Sequence, residues 1–280
     1  MQSSGPIVSF PSNVTEKQLG SDFKAALVIG HPGHELCVYG WLQLARPRVF
    51  VLTDGSGRSG LSRLGSTTRI LSEMDAQRGS IYGRFSDQAI YDAMLSANVR
   101  VFVKLAEELA DEFLREHIQY VVGDSMEGYN PTHDLCRIVL DAAVGIAQQS
   151  SGHRIDNFDV FLAKTPDPSS PRTYRDDTIR IELDDRTLAD KLAAARAYAE
   201  LALEVKNSLE EKGLDAFRVE CLRPADRHRV EQRFLKVRPF YESYGEGQVA
   251  AGYYEKIIRY RDHLLPISEA LRDLTVKNQH

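Results

Sequence analysis

Short apolar runs alternate with longer amphipathic stretches along the first half of this chain. Ala25–Ile29 is five consecutive apolar residues closed by Gly30, too short for a helix, and is expected to be a strand buried on both faces. Leu36, Val38, Trp41, Leu42 and Leu44 then recur at helical spacing until Pro47 stops the pattern, and Arg48–Thr53 supplies a second β-branched run ending at Asp54-Gly55. The stretch 55–65 is rich in glycine and serine and reads as a loop at the carboxyl end of that strand. Residues 67–79 and 96–117 read as helices, 119–123 as a third buried strand and 124–131 as irregular chain. Residues 132–149 place Leu135, Val139, Ala142, Ala143 and Ile146 on one helical face. This alternation predicts an α/β fold with a Rossmann-like, mostly parallel sheet flanked by helices.

After residue 150 the rhythm changes, and the parallel unit is expected to end. Residues 158–164 and 178–183 read as strands separated by a Pro-rich loop, 165–171. An Ala-rich helix follows over 187–209, and a second long helical stretch, 248–274, is interrupted by Pro266. The expected division is a loose lead-in over 1–20, an α/β domain over 21–185, and a mainly helical C-terminal extension over 186–280 packed on the same domain. The stretch 218–247 is basic and aromatic, with Arg223, Arg227, Arg229, Arg233, Arg238, Phe240, Tyr241 and Tyr244. It either closes over a cleft or forms the subunit contact of a homo-oligomer, and the sequence leaves both open.

Composition narrows the class. A chain of 280 residues, 42% of them hydrophobic, can bury a full core in one domain. With 35 basic against 40 acidic residues and a net charge of -5, no basic stripe is available for nucleic acid. The N-terminus lacks a charged start followed by an apolar run, and no apolar stretch is long enough to span a bilayer, so neither secretion nor membrane spanning is expected. Cys37, Cys136 and Cys221 are far apart and form no CxxC pair, which suits the reduced thiols of a cytoplasmic protein.

Candidate chemistry centres on histidine. His31 directly follows the first strand and His34 lies three residues on, at the entry to the next helix. His133 opens the helix that follows the third strand. In an open α/β sheet, ligands sit outside the carboxyl ends of the strands, and right-handed crossovers would bring all three histidines to that edge. Three neutral imidazoles leave one tetrahedral position for water, whose pKa a divalent ion lowers, which is the arrangement of a catalytic site. A lone histidine at a helix start is as readily a cap or a surface residue, and the short His31/His34 spacing alone leaves both readings open. His117, His153, His228, His263 and His280 fall in helix ends or polar stretches and read as solvated.

The strand ending in His31-Pro32-Gly33-His34-Glu35, followed later by Asn130-Pro131-Thr132-His133, resembles the PIG-L or LmbE-like zinc-dependent N-deacetylases of amino sugars. Their first strand ends in His-Pro-Asp-Asp-Glu and their later motif is His-Pro-Asp-His. Arg69 and Glu73 match an Arg and a Glu on the family's next helix, so the likeness runs from about residue 24 to residue 150. The resemblance implies zinc, or another divalent transition metal, on His31, His34 and His133. It also implies a small-molecule substrate, a sugar derivative, with Arg69 on its oxygens. The family's general base aligns with Gly33, and the histidine that assists the leaving amine aligns with Asn130. Both proton-transfer groups have therefore changed. Replacing an anionic ligand by His34 leaves the site one unit more positive, which acidifies bound water further.

Candidates to replace the lost base are Glu127, first choice, then Glu35 and Asp54, with Asp124 and Asp134 at the same edge. Asn130 and Asp124 join Arg69 as expected substrate contacts. Each has a plainer use: Glu35 can hold its loop through backbone hydrogen bonds, Asp54 can form an Asx turn, and Arg69 can be a surface arginine. The expected function is a metal-dependent amide hydrolase that removes an acyl group from an N-acylated amino sugar or related small polar substrate. The alternatives are a metal-assisted reaction of another type in biosynthesis, and a non-catalytic sugar-binding protein.

Overall fold

A computed structural model describes residues 6–9, 19–57, 59–162, 177–226, 231 and 233–277. The expected Pro-rich loop 165–171, together with Arg227, His228, Arg229 and His280, lies outside the described residues. Five parallel strands form one side of a single sheet: β2 (Ala25–Ile29), β3 (Arg48–Thr53), β4 (Gln77–Phe85), β5 (Tyr120–Asp124) and β6 (Asp156–Val160). Three strands extend it antiparallel beyond β6: β8 (Val219–Pro224), β7 (Ile179–Glu182) and β1 (Ile7–Ser9). The order across the sheet is β1-β7-β8-β6-β5-β2-β3-β4. The fold is therefore α/β with a mostly parallel sheet.

The central strands read as continuous apolar runs because both faces are covered. Ala26 and Val28 of β2 join Phe50, Leu52 and Val121 in a core closed by α4 (Val99–Arg115), α5 (Pro131–Ser151) and α9 (Leu265–Lys277). Ala25, Leu27 and Ile29 face the other way, with Val49, Val51 and Val122, against α1 (Tyr39–Ala45), α2 (Leu64–Glu73) and α6 (Asp185–Arg196). The remaining helices are α3 (Asp87–Leu95), α7 (Ala202–Lys212) and α8 (Phe240–Ala250). Among the described residues no helix is long and apolar enough to cross a membrane. The three cysteines form no disulfide.

Several expectations change. The parallel unit does not end at residue 150, since β6 pairs parallel with β5. The helix expected over 67–79 stops at Glu73, and β4 follows as an edge strand in which Ile81 alone is buried; its polar sequence, with Gly79 and Gly83, carries no strand alternation. Asp87–Leu95 is a helix of its own, opened by the Ser86 hydroxyl, which accepts the Ala89 N–H. The long helix expected over 187–209 is two helices, α6 and α7, because the chain breaks at 197–201 to turn Tyr198 inward. The second helical stretch is also divided: α8 ends at Ala250, and a π-helical turn, Tyr260–Leu264, runs straight into α9, so Pro266 marks the change from π to α geometry. The segment expected as lead-in supplies β1, and the mainly helical C-terminal stretch supplies β8.

Candidate functional site

The chain passes from β2 outward through β3 to β4, then returns to the other side of β2 to lay down β5 and β6. The crevice between the ends of β2 and β5 is the switch point at which open α/β sheets bind ligands. His31 lies just beyond β2, Asp124 ends β5, and His133 sits in the first turn of α5.

His31 is held by the neighbouring strand and by α3. Its Nδ1 lies 2.9 Å from Thr53 Oγ1 and 3.2 Å from Asp87 Oδ1. The Thr53 hydroxyl donates to the Gly30 carbonyl at 3.0 Å, so its oxygen faces His31 as an acceptor and Nδ1 carries the hydrogen. Nε2 is left as the lone-pair nitrogen, and it is buried without a hydrogen-bond partner. Asp87 also accepts the Gly57 N–H, which ties the glycine loop to the site. Burial opposes ionisation of Asp87, yet the hydrogen bond and charge of His31, with Thr53 and Gly57, hold its carboxyl well below the usual carboxylate range.

His34 begins a 3-10 turn over His34–Val38. Its Nδ1 lies 3.0 Å from both oxygens of Asp124, which is fully buried and also accepts the Gly30 N–H at 2.7 Å. Burial lowers the His34 pKa, but the charge and hydrogen bond of Asp124 outweigh it and raise it above its ordinary value. Arg137, itself buried, fixes Asp124 from behind by donating Nε–H to its main-chain carbonyl at 2.6 Å. His133 is the opposite case: burial, then the charges of His34 and His31, drive its pKa well down, so its ring is neutral, with Nδ1 buried and unpartnered.

The three rings meet. Centroids lie 5.4 Å apart for His31 and His34, 5.3 Å for His31 and His133, and 4.5 Å for His34 and His133. Among the described residues no group of three His, Cys, Asp or Glu side chains is set as a metal-holding group, so the rings are close neighbours and not a formed coordination shell. The donor chemistry nevertheless fits a divalent transition metal. Three imidazoles suit such an ion, two carry their Nδ1 against carboxylates as metal-binding histidines do, and the unpartnered nitrogens of His31 and His133 lack any other ligand.

The remaining expected residues are placed as follows. Glu35 is fully buried and accepts the Gly33 N–H at 2.7 Å; burial pushes its pKa up, against its backbone hydrogen bonds and Thr67. Asp54 accepts the Ser56 N–H at 2.9 Å, an Asx turn. Glu127 accepts the Ser125 hydroxyl and the Leu162 N–H, both at 2.6 Å, and its charge reaches His34. Asn130 caps α5 by accepting the Thr132 N–H. Asp134 accepts the Glu127 and Gly128 N–H groups, and burial pushes its pKa up to about 8. Two expected substrate contacts are differently engaged: Asp124 is enclosed behind His34, and Arg69 donates to the Ala197 carbonyl at the end of α6. Sequence reasoning missed Thr53 and Asp87; the Ser-Asp start of a helix after β4 was the available signal for Asp87.

No protein-family model matches the chain, and no curated protein does. Solved structures similar to it include the A40926 pseudoaglycone deacetylase, at 17% identity over 72% of this chain and 96% of that one, with a TM-score of 0.46. A deacetylase triple mutant from the teicoplanin biosynthetic pathway is 14% identical over 69% of this chain and 88% of its own, with a TM-score of 0.46. The zinc-inhibited form of a teicoplanin deacetylase is 12% identical over 72% and 99%, with a TM-score of 0.43. Likenesses at this level carry no weight for the chemistry, which rests on the chain's own residues.

Proposed function

We propose that this protein is a metal-dependent hydrolase of the PIG-L and LmbE-like kind, removing an acyl group from an N-acylated amino sugar or a related small polar substrate. The observation that carries this reading is the meeting of His31, His34 and His133 at the sheet's switch point, two of them held through Nδ1 by Asp87 and Asp124. His31, His34 and His133 would hold zinc or another divalent transition metal. When bound, such an ion supplies Lewis acidity, polarising an acyl carbonyl and lowering the pKa of water. Thr53 with Asp87 holds Nδ1 of His31, and Asp124 holds Nδ1 of His34, leaving Nε2 of those two rings for an ion. Proton transfer would fall to Glu127 ahead of Glu35 and Asp54: all three accept a backbone N–H, and the charges of Glu35 and Glu127 both act on His34, but Glu35 is fully buried and Asp54 closes an Asx turn.

A second reading, a metal-assisted reaction other than deacetylation, has one specific observation in its favour. Gly33, in place of the family's base, has φ 108°, and a Cβ there would lie 2.5 Å from Leu201 Cδ1. The left-handed backbone disfavours any side chain at this position, and an acidic one would also have to turn the end of the Leu201 side chain aside. Metal content of the wild type and of His34→Ala, with acetate release from N-acetylglucosamine conjugates, tests both readings. About one zinc per chain, lost in the variant, with acetate released, supports the hydrolase. Metal without acetate across an amide panel favours the second, and no metal in either protein overturns both.

A further inference from the structure

The outward side of α8 differs from an ordinary solvated helix face. Tyr129 stacks on Phe240 with ring planes 5° apart, and Phe240 stacks in turn on Tyr244 with centroids 6.0 Å apart. These rings are 52%, 54% and 48% exposed, and Tyr253, just beyond the helix, is 66% exposed. The chain as a whole is 27% charged. Yet among the described residues exposed from Phe240 to Tyr253, Glu246 alone is charged, and the others are these aromatics, Val249 and small residues. A surface helix ordinarily turns its charges outward, whereas exposed aromatics with charge depleted are the composition of an interface centre.

We propose that this face is the two-fold interface of a homodimer. The charges at its rim single out a second copy as the occupant. Glu246 pairs with Arg238 and, at 3.2 Å, with Arg259, and all three side chains are 42–44% exposed. A rim of both signs offers no matching field to a uniformly acidic or basic partner, but it complements itself. Turned about a two-fold axis, Arg238 of each copy meets Glu246 of the other. Exchanging an exposed pair within one chain for one between chains costs little, because such pairs contribute little. An antiparallel pair of α8 helices about an axis near Ser243 also lays Phe240 over the partner's Gly247, where a Cβ would meet nothing within 4 Å. Half-exposed rings leave on the order of 100 Å² each. Four of them supply about half of the roughly 800 Å² that a standard interface takes from each partner, and the valines, small residues and rim supply the rest. A bilayer is the poorer fit, since α8 has no Lys or Arg for headgroups. The same four rings line the cavity of about 960 Å³ that reaches His31 and Asp87, so the partner stands at the mouth of the histidine crevice. The interface holds whatever reaction that crevice performs.

Sedimentation velocity of the full chain at micromolar concentration tests this. Wild type should sediment as a dimer. Phe240→Glu and Tyr244→Glu, each first shown by circular dichroism to be folded, should sediment as monomers. Arg238→Glu and Glu246→Arg should each weaken self-association at least tenfold when alone, since like charges then face one another across the axis. An equimolar mixture of these two variants should recover the dimer, because each supplies the charge that the other lacks, and mixing cannot repair a pair within one chain. A monomeric wild type would overturn the interface, and its flotation with neutral phosphatidylcholine vesicles would give the face to a bilayer instead. A dimer untouched by Phe240→Glu and Tyr244→Glu, or charge variants whose mixture associates no better than either alone, would overturn it equally.

Discussion

At the scale of single residues, the site is defined as much by what holds the histidines as by the histidines themselves. Asp124 is buried and divided between the Gly30 N–H and the His34 ring. Asp124→Asn keeps an acceptor for Gly30 but removes the carboxylate, and zinc affinity measured by chelator competition should fall about 10- to 100-fold. Gly33→Asp, which installs the residue of the PIG-L and LmbE-like motif, should lower stability by about 1–3 kcal/mol in urea denaturation, because it forces a left-handed backbone on a side chain and displaces the end of Leu201. It should not raise acetate release; a gain would show that the position still accepts a base. Cys37 gives a pH test. Cys37 is half-buried and desolvation pushes its thiol up to about 12, so the thiolate is scarce at pH 8 and Ellman's reagent should label it more slowly in the folded protein than after unfolding. Because the folded state favours the neutral thiol, this group's contribution to stability is intact below about pH 9 and declines as pH rises toward about 12.

At the scale of elements, the connection from the His34 turn into α1 depends on a strand far away in sequence. Glu220 of β8 accepts the N–H groups of Gly40 and Trp41, each at 3.0 Å, and pairs with Lys191 of α6 at 2.9 Å, both side chains buried. Glu220→Ala strands a buried ammonium and two N–H groups of the α1 first turn, and should cost about 3–5 kcal/mol in chemical denaturation. The elements that could be read from the sequence were those with a clean period: β2, β3, β5 and α5 lie where apolar runs and helical spacing put them. β4 could not be read, because an edge strand with one buried residue has no alternation to display. The break between α6 and α7 is hidden by uniformly helix-favouring residues. It exists because Tyr198 turns in to bond Thr67 Oγ1 at 2.9 Å and the Arg63 carbonyl at 3.2 Å.

At the scale of the molecule, metal binding and folding should be linked, since only the folded chain brings His31, His34 and His133 within reach of one another. Zinc at one hundred times its dissociation constant should stabilise the protein by about 2.7 kcal/mol, read as a rise in melting temperature that EDTA reverses and His34→Ala abolishes. An unchanged melting temperature would count against a three-histidine ion site.

The sequence by itself determined the α/β class and the three histidines, because both depend on local signals: apolar runs closed by glycine, and residues just beyond the strands those runs form. Their meeting at one point, the placing of Asp87 against His31 and Asp124 against His34, the approach of Leu201 to Gly33 and the stacking of Tyr129 on Phe240 were decided only by tertiary structure. Each joins residues from separate elements, and such pairings follow from strand order and crossover packing, which no local period encodes.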